Sequence, residues 1–179
     1  MDRETIQQQP FSPSELERYQ SYGSYGGHKA AKFGRNKYCL PENFPLDMIR
    51  NEMMVYPDDL WIVTPPKCGT TWMQEIVWLL HTEVDLSQAQ CNQFYRIPFM
   101  ELGYILRASA WRDAKTFQRP DFEKTPKNEE NAMNYMAHSL EYVQSLTRPR
   151  IIKTHLPLEL LPSGLLDACK VTNEEIVRS

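Results

Sequence analysis

Lys67 stands in the run Thr64-Pro65-Pro66-Lys67-Cys68-Gly69-Thr70-Thr71-Trp72, with apolar stretches on both sides, Leu60 to Val63 before it and Met73 to Leu80 after it. A chain that leaves a strand through paired prolines and enters a helix at Gly-Thr-Thr presents several backbone N–H groups without intrahelical acceptors. Those amides, the positive end of the helix dipole and the Lys67 ammonium converge on one point, which suits a phosphate or sulfate group. Thr70 and Thr71 also read as helix caps, a role compatible with facing an anion. A second group, Lys153-Thr154-His155, closes another short apolar stretch that begins at Arg150. A histidine titrating near neutral pH is suited to taking a proton from a reacting group. His28, His81 and His138 lack comparable neighbours and read as structural.

These groups need elements that point them at one place. Leu60 to Thr64 is a short apolar run closed by proline and predicts a buried strand. From Thr70 to His81, the residues Trp72, Met73, Ile76, Val77, Leu79 and Leu80 recur near helical spacing, with Gln74 and Glu75 opposite. That pattern predicts an amphipathic helix laid on the sheet by its apolar face, and strand, turn and helix begin a βα unit. Asn131 to Leu146 predicts a second helix and Arg150 to Thr154 a second strand, with the charged, proline-containing segment Ala114 to Asn131 as a surface excursion. Both motifs then fall at the carboxyl ends of strands, where open α/β sheets bind ligands. Residues 1–37 are polar, hold four of the seven glycines and show no clear period, and so read as a flexible tail or surface loop.

Spacing separates this loop from the nucleotide triphosphatase type, G-x-x-x-x-G-K-[ST], whose lysine follows the second glycine. Here Lys67 precedes Gly69 by two residues and no earlier glycine occurs in the loop. A metal-dependent triphosphatase or kinase is the less favoured reading. The chain of 179 residues, 41% hydrophobic, fits one domain with its own core. A net charge of −3 gives no overall basic face, so neither nucleic acid nor anionic membrane is expected as a partner. The amino terminus lacks the apolar core of a secretory signal, and no apolar run approaches the ~20 residues of a membrane span. A cytoplasmic location follows as the default. Cys39, Cys68, Cys91 and Cys169 are scattered without metal-ligand spacing, so free thiols and no metal site are expected.

The run Thr64 to Trp72 resembles the 5′-phosphosulfate-binding loop of the cytosolic sulfotransferases, usually written TYPKSGTTW. Arg150 to Pro157 resembles that family's K-T-H-L-P motif, and Leu160-Leu161-Pro162 follows as it does there. The likeness runs roughly from Tyr38 to Val171. Pro65 stands where the family usually has Tyr, and Cys68 where it usually has Ser. Backbone amides do much of the phosphate binding, so Cys68 weakens the site rather than abolishing it.

The resemblance implies a three-layer α/β fold around a central parallel sheet. It implies transfer of a sulfuryl group from 3′-phosphoadenosine 5′-phosphosulfate to a hydroxyl or amine of a small molecule, without a metal. Such chemistry relies on positioning and charge stabilisation. By resemblance His155 is the base, Lys67 the cation at the bridging oxygen and Lys153 an assistant at the sulfuryl group. Lys67, Cys68, Gly69, Thr70, Thr71 and Trp72 form the nucleotide site, with Trp72 stacking on adenine or else filling core. Phe99, Trp111 and Phe117 read as acceptor-pocket lining or as ordinary core, and some of Tyr19, Tyr22 and Tyr25 as substrate-side aromatics.

The family pattern continues after Val171 with another core strand and an R-N-P-K-D-like segment, whereas this sequence has Thr172 to Ser179. The resulting division is a flexible or substrate-side segment (1–37), a partial sulfotransferase domain (38–171) and a divergent tail (172–179). The expectation is an amino-terminal part of a sulfotransferase, impaired in turnover and marginally stable alone, with a homodimer only in a longer form. The alternative is a non-catalytic isoform that binds nucleotide weakly or a protein partner.

Overall fold

Three short strands open the chain: β1 (Gln8–Pro10), β2 (Ala30–Phe33) and β3 (Tyr38–Pro41) form an antiparallel sheet in that order. They belong to a computed structural model that describes residues 6–21, 30–84, 86, 93–105, 135 and 138–168. Along β2 the side chains alternate, Ala31 and Phe33 buried and Ala30 and Lys32 partly exposed, as a period of two requires. Helix α1 (Pro13–Ser21) lies between β1 and β2. Its start is fixed reciprocally, since Ser12 N–H donates to Glu15 Oε2 at 2.8 Å and Glu15 N–H to Ser12 Oγ at 3.4 Å. That is a capping box. The described part of residues 1–37 is therefore built into sheet and helix, where a tail or loop was expected. Strands of three and four residues are too short for periodicity to reveal.

After a π-helical turn (Met48–Glu52) come β4 (Leu60–Val63), α2 (Thr70–His81), the single turns α3 (Gln93–Arg96) and α4 (Leu102–Ile105), α5 (Ser139–Ser145) and β5 (Ile151–Thr154). A 3₁₀ turn (Leu158–Leu160) and α6 (Leu165–Ala168) follow. Strands β4 and β5 pair in parallel, with Leu60 opposite Ile151 and Val63 opposite Thr154. On its other side β5 meets Phe99 in a parallel bridge, with Lys153 N–H donating to Pro98 O at 3.0 Å and Met100 N–H to Lys153 O at 2.9 Å. Flanked on both sides, β5 buries Ile151, Ile152 and Thr154, while β4 leaves Leu60 38% exposed. The parallel strands confirm the α/β class.

The main core joins the two sheets. Ala31 and Phe33 pack with Phe44, Leu46, Ile49 and Met53, with Ile152 of β5, and with Leu156, Leu160 and Leu161 just beyond it. Arg50 donates to the carbonyls of Glu159 and Leu161, and Ser163 N–H returns a bond to Arg50 O at 3.0 Å. The segment leaving His155 is thus pinned from Glu159 to Ser163, beginning four residues past the histidine.

Helix α2 has the predicted limits but turns a different face inward. Thr70, Gln74 and Trp78 are buried, while Trp72 is 78% and Leu80 73% exposed. The cause lies in the segment packed against it. Gln74 Nε2 donates to Ile97 O at 3.3 Å, and Glu75 accepts Arg96 at 2.8 and 3.1 Å and Gln93 at 2.9 Å. Bonding to that segment selects the polar side of the helix. Of the helix expected over Asn131 to Leu146, α5 covers Ser139–Ser145, with Leu140 and Val143 buried and Leu146 already extended at its end. Cys91, Cys169, Trp111, Phe117, Tyr22, Tyr25 and the segments 114–131 and 172–179 lie outside the described residues.

Candidate functional site

Between β4 and α2 the backbone enters the left-handed region twice, with φ of 65° at Lys67 and 78° at Gly69. A residue with a side chain pays about 1–2 kcal/mol for that conformation, and such strain gathers at ligand-binding turns. At Gly69 nothing lies within 4 Å of where a Cβ would stand, so the backbone angle is what calls for glycine. Alternation of left-handed and ordinary residues aims successive N–H groups to one side, making a concavity for an anion. Trp72 and Met73 both donate to Gly69 O, at 3.0 and 3.2 Å, and start the helix ladder. The amides before them precede that ladder.

Side chains in the turn divide by exposure. Lys67, Cys68, Gly69 and Thr71 are exposed. The exposure of Trp72 excludes core filling as its role. Thr70 is buried, its hydroxyl 2.5 Å from that of Thr64. Neither threonine caps the helix, because the cap position is Gly69 and receives no side-chain bond.

Thr64 ties this turn to the second motif. Its N–H extends the parallel ladder to Thr154 O at 3.3 Å, and its carbonyl oxygen lies 2.7 Å from His155 Nδ1. A carbonyl only accepts, so Nδ1 carries the proton and Nε2 keeps the lone pair. Phe99 meets the His155 ring edge to face at 4.9 Å, and Lys153 Nζ lies 4.4 Å above the Phe99 ring. Phe99 is therefore a buried platform beneath both groups. Burial, assisted by the Lys153 charge, lowers the His155 pKa against the opposing pull of the Thr64 carbonyl. Neutral imidazole is thereby favoured near pH 7. Burial likewise lowers the Lys153 pKa, and the Glu101 charge works in the other direction.

Glu101 is the site residue that sequence reasoning missed, together with Thr64. It is fully buried, and its Oε1 accepts the His155 N–H at 2.6 Å. Burial pushes its carboxyl up to about 7, against the His155 N–H, the Thr154 hydroxyl and the Lys153 charge. The available signal was a lone carboxylate in the run Ile97-Pro98-Phe99-Met100-Glu101-Leu102.

Among the described residues, no group of three or more His, Cys, Asp or Glu side chains could hold a metal ion. No helix of the described residues is long and apolar enough to cross a membrane. A cavity of about 870 Å³ is lined by residues including Gln7, Lys37, Arg50, Glu159 and Pro162, and by none of Lys67, Lys153 and His155. The motif residues instead occupy the carboxyl ends of β4 and β5.

A left-handed turn opening a helix thus stands beside a lysine on the neighbouring parallel strand and a histidine at its exit, in an α/β domain. The chain belongs to the sulfotransferase family, whose sulfotransferase domain profile matches residues 57–172. It is 35% identical to Sulfotransferase 1E1 of Homo sapiens over 117 residues, covering 64% of this chain and 30% of that protein. Luciferin sulfotransferase of Photinus pyralis is 32% identical over 109 residues, 61% of this chain and 26% of that one. Sulfotransferase 4A1 of Homo sapiens is 30% identical over 156 residues, 87% of this chain and 40% of that protein. A crystal structure of retinol dehydratase with retinol and PAP superposes with a TM-score of 0.72 at 22% identity, covering 93% of this chain and 50% of that chain. That likeness shows the fold. The chain spans between 26% and 40% of these curated relatives.

Proposed function

We propose that this site serves sulfuryl transfer from 3′-phosphoadenosine 5′-phosphosulfate to a hydroxyl or amine of a small molecule. The observation that carries the reading is the bond from His155 Nδ1 to the Thr64 carbonyl. It joins the two motifs and leaves Nε2 as a free base at the exit of β5. The anion concavity at Lys67 fits a 5′-phosphate, because its left-handed backbone and helix-start amides offer donors without needing a metal.

The nucleotide supplies the activated sulfuryl group, and the chain's residues do the rest. His155 Nε2 takes the acceptor proton as the new S–O bond forms. Lys67 neutralises the charge that grows on the phosphate oxygen as the old S–O bond breaks. Lys153, held over Phe99, pairs with the sulfuryl oxygens. Cys68, Gly69, Thr70 and Thr71 place the turn around the phosphate, and the exposed ring of Trp72 offers a stacking face for adenine.

The test is transfer of labelled sulfuryl to a phenol in the presence of a chelator. Wild-type transfer with an about hundredfold or greater loss in His155→Ala, at unchanged affinity for 3′-phosphoadenosine 5′-phosphate, is the expected result. Because the His155 pKa is lowered, the rate should fall only on the acid side of the usual histidine range. Nucleotide binding without transfer would instead mark a non-catalytic binder, and Mg²⁺-dependent release of phosphate from ATP a triphosphatase.

A further inference from the structure

Glu101 lies directly after Met100, whose N–H bonds the carbonyl of Lys153, and its Oε1 accepts the N–H of His155. The Met100–Glu101 step therefore meets the strand exit at the two residues to which the transfer reading gives chemistry, through the Met100 N–H at Lys153 and the Glu101 carboxyl at His155. Its other oxygen, Oε2, is buried without a hydrogen-bond partner. A buried unpaired carboxyl oxygen costs about 1–3 kcal/mol or more, so a purely structural role is poorly served by a glutamate here. A glutamine would hold the same N–H with its carbonyl oxygen. What glutamate adds is charge.

We propose that Glu101 is a positioning residue for this site, its buried carboxyl fixing the backbone turn at His155 and setting the local charge beside Lys153. The proposal rests on the sulfuryl-transfer reading for its purpose, though not for its test. Two consequences follow from the geometry. With the His155 N–H held by Oε1 and its Nδ1 held by Thr64, the histidine is fixed from both its backbone and its ring. The Glu101 charge opposes the burial that lowers the Lys153 pKa, which favours the ammonium that a lysine pairing with sulfuryl oxygens requires. The titratable groups facing Glu101 are Lys153 and His155 from β5 and its exit, and Tyr135, whose hydroxyl lies 2.7 Å from Phe99 N. Burial first, then the Glu101 charge, raises the Tyr135 phenol against the Phe99 backbone bond, keeping it a neutral donor and acceptor.

The experiment follows Lys153 and His155 by NMR titration of the ligand-free chain in wild type, Glu101→Gln and Glu101→Ala. Glu101→Gln keeps an acceptor for the His155 N–H and removes the charge. It should lower the Lys153 titration by about one pH unit, the scale of a close ion-pair effect, while Nε2 stays the titrating nitrogen of His155. Glu101→Ala removes the acceptor as well and should also mix the His155 tautomers. Lys153 titrating in Glu101→Gln as in wild type overturns the proposal, whether or not Glu101→Ala folds. Binding of 3′-phosphoadenosine 5′-phosphate to the wild-type chain is measured separately. Its absence overturns the transfer reading and leaves the Lys153 titration to decide the role of Glu101.

Discussion

At the amino end of the β4–β5 pair, Asp59 and Arg150 saturate one another, whereas at the carboxyl end Glu101, Lys153 and His155 leave bonding capacity open. Arg150 is buried and bonds through all three guanidinium nitrogens, Nη1 reaching Val143 O at 3.4 Å. Its Nε donates to Asp59 Oδ1 at 2.8 Å, Nη2 reaches both Asp59 Oδ2 and Met54 O, and Tyr56 covers it at 4.7 Å. Leu60 N–H then donates to Arg150 O at 2.8 Å, so the clamp also sets the register of the strands. Four residues along, the pair ends in a lysine half-exposed over Phe99, a free imidazole nitrogen and a carboxyl with one oxygen unmatched. A saturated end fixes the strands, and an unsaturated end is then able to act.

Breaking the saturated end should have the largest effect. Asp59→Ala leaves the Arg150 charge buried and unpaired, so a loss of about 3–5 kcal/mol is expected by urea denaturation. A loss within experimental scatter would dissolve the contrast between the ends. Neutralising the acid at the other end should act with the opposite sign. Burial holds the Glu101 proton in the folded chain up to about pH 7, against 4.5 for a glutamate in water. Between those values the folded form binds more protons than the unfolded one, so stability falls as pH rises through that window and stays lower above it. Glu101→Gln should remove this slope and stabilise the chain at alkaline pH by on the order of 3 kcal/mol, read from denaturation at several pH values. An unchanged slope would show that Glu101 is already ionised and satisfied.

Smaller effects sharpen the comparison. Lys67→Ala should weaken binding of 3′-phosphoadenosine 5′-phosphate by about 1.5–3 kcal/mol, as for a charge-assisted hydrogen bond, with the melting temperature unchanged. Calorimetry giving equal affinities would remove Lys67 from the anion site. The smallest effect belongs to Asp58→Ala. Its partner Arg148 lies 2.6 Å away on the exposed side of the clamp, and surface pairs of this kind contribute little. A clear shift in melting would mean that the clamp extends to the surface.

What was legible in the sequence was local. The prolines and Gly69 around Lys67 mark the end of β4 and the start of α2, and the limits Thr70–His81 follow from them. The run Ile151 to Thr154 declares β5 by its apolar residues. The inward face of α2 was not legible, because Gln74 and Glu75 are drawn in by groups of residues 93–97 that no helical periodicity records. Ser12-Pro13-Ser14-Glu15 did carry a helix-start signature within residues 1–37, but the pairing of β1 with β2 joins strands separated by α1. Glu101 gains its meaning from His155, 54 positions away. Its sequence neighbours state only that a carboxylate has entered an apolar run.

The central claim is that the Lys67 turn and the Lys153–His155 strand end form a single anion-and-base site. Titrating 3′-phosphoadenosine 5′-phosphate into the wild-type chain, with side-chain NMR signals of Lys67, Lys153 and His155 followed together, tests it most directly. The account predicts that all three shift along one isotherm with a common Kd. A Lys67 signal that responds while Lys153 and His155 stay fixed, or three signals that ignore the nucleotide, would contradict it.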